Sequence, residues 1–170
     1  ATRGYLEFMR YPAYAWAFTP TQLNAAVSAA IEGNQLDVIK EFVPIYTTCT
    51  SAYTNPIPFT YITKNLITPE HVSRAGWLNN TNMIKYFHSV GINVLDGKFV
   101  AQVCGRFTCT PTTLALIDLG ADVTYQNNLM IRLACARGNL PVVKALVQAG
   151  ADVNVNNGRP LMSALECRHP

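Results

Sequence analysis

Five cysteines and three histidines are the residues of this 170-residue chain that could ligate a metal or act as nucleophiles. Zinc sites need Cys and His at short, fixed spacings. Acyl-transfer sites need a Cys or Ser with a His beside it. Cys49, Cys104, Cys109, Cys135 and Cys167 are odd in number and contain no Cys-X-X-Cys pair. Cys104, Cys109 and Cys135 would meet only if folding stacked them, and their spacing matches no familiar ligand set. His71, His88 and His169 stand at no recognisable distance from a nucleophile or carboxylate. The glycines are singletons, not a phosphate-binding cluster. No catalytic residue, metal site or cofactor is therefore expected. What remains is the chemistry of recognition, carried by Tyr, Arg, Asn and Lys, and those residues need elements to present them.

The elements repeat. Gly-Ala-Asp-Val occurs at 120–123 and again at 150–153. An echo at a fixed period, with helical patterns between, marks a repeat array. Leu140, Val142, Val143, Leu146 and Val147 form a one-sided helical stripe. Small and apolar residues fill Leu129–Ala136, where close helix packing needs small side chains. Gly138 and Gly150 suit left-handed helix ends. Thr68-Pro69-Glu70 should start a helix, with Thr68 as N-cap. Another should start near Thr19 to Thr21 and run through Ala30. Pro111 and Pro141 fit first turns, and Pro44 should end the helix that begins near Leu36.

Residues 129–154 resemble the ankyrin repeat, with Gly138 as the interhelix glycine and Gly150 to Asn154 as the closing loop. Met130 and Arg132 stand where that motif has Pro and His. Stepping back from Gly138 gives equivalents at Thr108, Asn79, Asn34 and Gly4, at intervals of 30, 29, 45 and 30 residues. The period is shorter than the usual ~33. Such short-loop arrays are similar to those common in large DNA viruses. The resemblance implies an all-α solenoid of stacked helix–loop–helix repeats with short hairpin loops and one irregular insertion. It divides the chain into a partial repeat 1–18, repeats 19–46, 65–94, 95–123 and 124–153, an insertion 47–64, and a partial repeat 154–170. The chain reads as an excerpt of a longer array, since it begins in mid-repeat and ends after an inner helix whose partner is missing. Thr112 and Thr113, where Val-Val is usual, suggest a looser third unit.

The resemblance also implies a non-catalytic protein–protein interaction module, a scaffold that binds through hairpin tips and the concave face of the inner helices. Tip candidates are Lys98, Tyr125, Asn127, Asn156 and Arg159; inner-helix candidates are Gln102, Arg106 and Arg132. Tyr53, Phe59 and Tyr61, in the Thr- and Pro-rich insertion, are further candidates, because insertions in arrays often map to the binding face. Asp122 and Asp152 are expected to hydrogen-bond their own loops. Cys104 and Cys135 should be buried and apolar in character, with Cys109 exposed at the interhelix turn. Net charge is +3 and the basic residues are scattered, so nucleic acid is not expected as a partner. No apolar run suggests membrane insertion. Free thiols suit a reducing compartment, cytoplasm or nucleus, or host cytoplasm or virion for a viral protein. Charged residues are only 14% of the chain, as if neighbours cover part of it. Two other functions fit: a structural component packed in a large assembly such as a virus particle, and the regulatory array of a larger enzyme or channel. Further repeats of the same chain are another possible neighbour.

Overall fold

The computed structural model describes residues 20–40 and 66–167. Expectations for Pro44, the partial first repeat, the insertion and Tyr53, Phe59 and Tyr61 lie outside the described residues. Among the described residues these α-helices follow in order: α1 (Pro20–Glu32), α2 (Pro69–Trp77), α3 (Thr81–Ser89), α4 (Gly97–Cys104), α5 (Thr110–Asp118), α6 (Tyr125–Ala136), α7 (Leu140–Gln148) and α8 (Val155–Glu166). A 3-10 turn, Phe107–Cys109, precedes α5. Residues 36–40 are also helical, and no strand occurs among the described residues.

The helix starts follow from local chemistry. Thr68 sits in extended backbone (φ −79°, ψ 161°) and its side chain accepts from the His71 N–H, with Pro69 and Glu70 in the first turn. The box closes with an imidazole in place of the usual carboxylate: His71 Nδ1 accepts from the Thr68 N–H at 3.2 Å. Asp96 caps α4 by accepting from the Phe99 N–H at 3.3 Å. Pro111 and Pro141 lie in the first turns of α5 and α7, where a missing N–H costs nothing.

The helix ends repeat as the sequence does. Gly91, Gly120 and Gly150 have φ of 81°, 89° and 93°. After each glycine the next N–H reaches back: Ile92 to the Phe87 carbonyl, Ala121 to Leu116 and Ala151 to Leu146. These are Schellman closures, which satisfy carbonyls that a helix terminus would otherwise leave open. The interhelix turns are also left-handed, at Asn34 (φ 50°), Asn79 (φ 59°) and Gly138 (φ 64°). Asparagine tolerates that region better than other residues with a Cβ.

α2 pairs with α3, α4 with α5 and α6 with α7, and the pairs stack. The inner row runs α1, α2, α4, α6, α8 and the outer row α3, α5, α7. Phe87, Met83, Ile84, Leu116, Met130, Ile131 and Leu146 are fully buried in one continuous core. Each such side chain contributes about 1.5–3 kcal/mol by leaving water. Small residues let the inner row close up. A Cβ on Gly76 of α2 would lie under 3 Å from the Phe99 ring of α4.

Thr112 and Thr113 do not loosen the third unit. They are 0% and 1% exposed, and both hydroxyls are bonded. The Thr112 N–H and hydroxyl donate to Asn79 Oδ1 at 3.1 and 2.9 Å, and the Thr113 hydroxyl donates to the Cys109 carbonyl at 2.9 Å. Satisfied hydroxyls do the work of valines, because burial costs a polar group little once it is paired. Cys109 is not exposed either. The 3-10 turn rotates its side chain inward to 0% exposure, with Sγ 3.6 Å from the Trp77 carbonyl, and turns Phe107 outward instead.

Candidate functional site

Two grooves run along the inner row and share α4 as their common wall. The first, between α2 and α4, has a volume of about 530 Å³ and an apolar floor that includes Val72, Ile92 and Phe99. The second, between α4 and α6, holds about 300 Å³ over Ala101, Leu129 and Leu133. Lys98 and Gln102, one helical turn apart on α4, line both. Tyr125 and Gln126 form the far end of the second groove. Of the residues expected to bind a partner, Lys98, Gln102 and Tyr125 are thus brought together.

Tyr125 is placed by a missing side chain. Its ring packs on Gly97, where a Cβ would lie under 3 Å from the ring atoms. The Gln126 Nε2 group donates to the Tyr125 hydroxyl at 3.2 Å. Beyond Tyr125 the backbone turns left-handed for three residues, Gln126, Asn127 and Asn128 (φ 47°, 53° and 54°), before right-handed helix begins. The same turn recurs 30 residues later at Asn156, Asn157 and Gly158 (φ 51°, 58° and 77°). These turns take the place of two-stranded hairpin tips. They leave Gln126, Asn127, Asn156 and Asn157 exposed, while Asn128 points inward and its Oδ1 accepts from the Asp152 N–H at 2.8 Å.

The arginines are held in different ways. Arg132, half-buried on α6, donates from Nη2 to the Gln126 carbonyl at 3.3 Å, and its buried Nε–H has no acceptor. Arg106 stacks over the Trp77 ring at 5.0 Å. Arg159 pairs with Glu166 at 3.3 Å, and Arg74 pairs with Glu32. Asn156, Asn157 and Arg159 belong to the turn and start of α8, apart from the two grooves.

Asp122 and Asp152 serve their own loops. Asp122 Oδ1 accepts from the Thr124 N–H and hydroxyl at 2.9 and 2.6 Å, and those bonds hold its carboxyl below the usual range. Asp152 accepts from the Asn154 N–H at 2.8 Å. Cys104 is buried, its Sγ 3.4 Å from the Met130 carbonyl. Burial, with Cys135 nearby, pushes its thiol up to about 12, so it is neither thiolate nor ready ligand. Among the described residues no three His, Cys, Asp or Glu side chains stand together as a metal set. No helix among them is long and apolar enough to cross a membrane.

Sequence reasoning missed two features. His71 is buried: Nδ1 accepts from Thr68 N–H, which leaves the proton on Nε2 to donate to Ser28 Oγ at 3.0 Å. Burial lowers its pKa from the ordinary value, against weaker opposing effects of nearby backbone and Glu70. Trp77, Leu78 and Phe107 are exposed apolar side chains at the interhelix turns. The 29-residue equivalence of Trp77 with Arg106 and of Leu78 with Phe107 was the available signal.

Residues 129–158, from the start of right-handed α6 through the second left-handed turn, match the family model for the ankyrin repeat. No curated protein and no solved structure matches the chain.

Proposed function

We propose, from the premise of an ankyrin repeat at 129–158 in an all-helical stack, that this chain binds a protein partner along its inner-helix face. Ankyrin repeats generally mediate protein–protein interaction, and the family is typically non-catalytic. The observation that carries the reading is the pair of adjoining grooves that share Lys98 and Gln102. An apolar floor with a few polar groups on the rim is how a recognition site combines burial with specificity. Tyr125 adds an aromatic anchor of low flexibility, of the kind enriched at binding hot spots. Asn127, Asn156 and Arg159 would extend the surface at the left-handed turns.

Photo-cross-linking tests this. A photoreactive residue at Gln102 should capture a partner that the same residue at Lys144, on outer helix α7, does not. Lys98→Glu should weaken that capture and leave the helical content unchanged. Equal capture from both positions rejects the inner face as the binding surface.

A second reading draws on Leu140, Val147, Leu161, Met162 and Leu165, large apolar side chains exposed on α7 and α8. A permanent neighbour, such as a further repeat or an assembly subunit, would cover them. That reading requires the chain to self-associate or aggregate when it is expressed alone. We propose as well that the array is of the short-loop viral subtype and works in the cytoplasm or nucleus.

A further inference from the structure

We infer that the segment seated on the inner-helix face is an acidic peptide, alternating carboxylates with apolar side chains; this rests on the recognition reading above. Charge complementarity carries it. Lys98 and Arg132 lie on inner helices α4 and α6, and Arg137 caps α6. Arg106, expected on an inner helix, instead starts the 3-10 turn after α4. None of the four has a carboxylate partner among the described residues. Several carboxylates are engaged away from these cations, and Asp96, which lines the first groove with Lys98, is held as the α4 N-cap. Glu32 and Glu166 are in ion pairs, and Asp37 pairs with Lys40. Asp122 and Asp152 hold their own loops. Glu70 stands in the first turn of α2, at the favourable end of its dipole. The outer helices carry a mixed set, Lys85, Asp118 and Lys144.

The inner face therefore offers open cations beside two grooves with apolar floors; the first also carries the capping carboxylate of Asp96, and no carboxylate lines the second. Lys98 stands between the grooves, so one carboxylate there would leave apolar side chains free to enter either side. Arg132 has a buried Nε–H without an acceptor, next to the Nη2 that now serves the Gln126 carbonyl. A carboxylate that replaced that carbonyl would accept from both nitrogens side-on, the strong form of an arginine–carboxylate contact. The Arg106 guanidinium carbon already lies over the Trp77 ring at 5.0 Å, which lowers the entropy lost on pairing.

The test is selection of a random peptide library, displayed on phage, on the immobilised full chain. Selected peptides are re-measured by anisotropy against a variant with Lys98→Glu and Arg132→Glu, and each is cross-linked through Gln102. The expected result is enrichment of Asp and Glu, cross-linking at Gln102, and affinity at least ~10-fold weaker for the variant. Neutral or basic winners that still cross-link at Gln102 overturn the acidic partner and leave the recognition surface standing. Winners that do not cross-link there, or no winners at all, overturn both. Tighter binding of polyuridylate than of any selected peptide overturns the peptide in favour of a nucleic acid. Circular dichroism checks the fold, and a Lys98→Gln, Arg132→Gln variant gives the same reading if charge reversal unfolds the chain.

Discussion

The amide oxygen of Asn79 accepts two hydrogen bonds from Thr112, a residue 33 positions on, while its own backbone holds a left-handed turn. Truncation to alanine strands the buried Thr112 N–H, leaves the Thr112 hydroxyl with Thr81 Oγ1 alone, and forces alanine into positive φ. Asn79→Ala should cost about 1–3 kcal/mol in urea unfolding, from the unpaired N–H alone. Thr112→Val should cost a comparable amount, and the double variant less than the two together, because they share one contact. His71 gives a pH signature. Its folded pKa lies below the ordinary 6.5, so the folded state binds fewer protons than the unfolded state near that pH. Its stabilising contribution is complete above about 6.5 and is lost as pH falls through the lowered value. Thermal unfolding should therefore shift to lower temperature between pH 7 and pH 5, and His71→Gln should flatten that dependence. None of this was legible from residue types. Asn79 read as an interhelix turn residue and His71 as a histidine with no recognisable partner, because Thr112 and Ser28 are 33 and 43 positions away. Cys109 was misjudged for the same reason: a turn position suggests exposure, and only the 3-10 geometry directs the thiol inward.

The helices themselves were readable because their punctuation is local. Thr68 with Pro69, Pro111, Pro141 and the glycines at 91, 120 and 150 each act within one turn of chain. The left-handed turns at 126–128 and 156–158 were not read, since Asn-Asn and Asn-Gly equally suit a hairpin tip. Positive φ costs an L-residue roughly 1–2 kcal/mol, less for asparagine and almost nothing for glycine. Asn127→Gly should then leave the melting temperature unchanged or higher, whereas Asn127→Val should lower it, as differential scanning calorimetry would record. Gly76 shows the opposite constraint. Alanine usually strengthens a helix by ~1 kcal/mol over glycine, but here its Cβ would meet Phe99 and Val103. Gly76→Ala should destabilise by about 1–3 kcal/mol, the range for an overpacked core. A stabilised variant in chemical denaturation would mean that α2 and α4 can separate freely.

Across the whole molecule, one core runs through stacked pairs, and each pair touches mainly its neighbours. Position in the stack should then grade the cost of a substitution. Leu116→Ala, in the fully buried middle, should cost about 2–5 kcal/mol. Leu165→Ser, on the 60% exposed face of α8, should stay within about 0.5 kcal/mol. The 30-residue echo made the stack legible, and with it the inner row that carries Lys98, Gln102 and Tyr125. It could not reveal that Tyr125 rests on Gly97 or that Arg106 rests on Trp77, because both contacts cross from one repeat to the next. Those crossings have a further consequence. Asn80 donates to the Ile31 carbonyl, Thr112 to Asn79 and Asn139 to Thr110. Each joint carries a different polar pair, so the repeats are not interchangeable bricks. Cutting one out, or duplicating it, would part the side-chain pairs Thr112–Asn79 and Asn139–Thr110 at the new seam, and an array lengthened by copying would need that seam re-keyed.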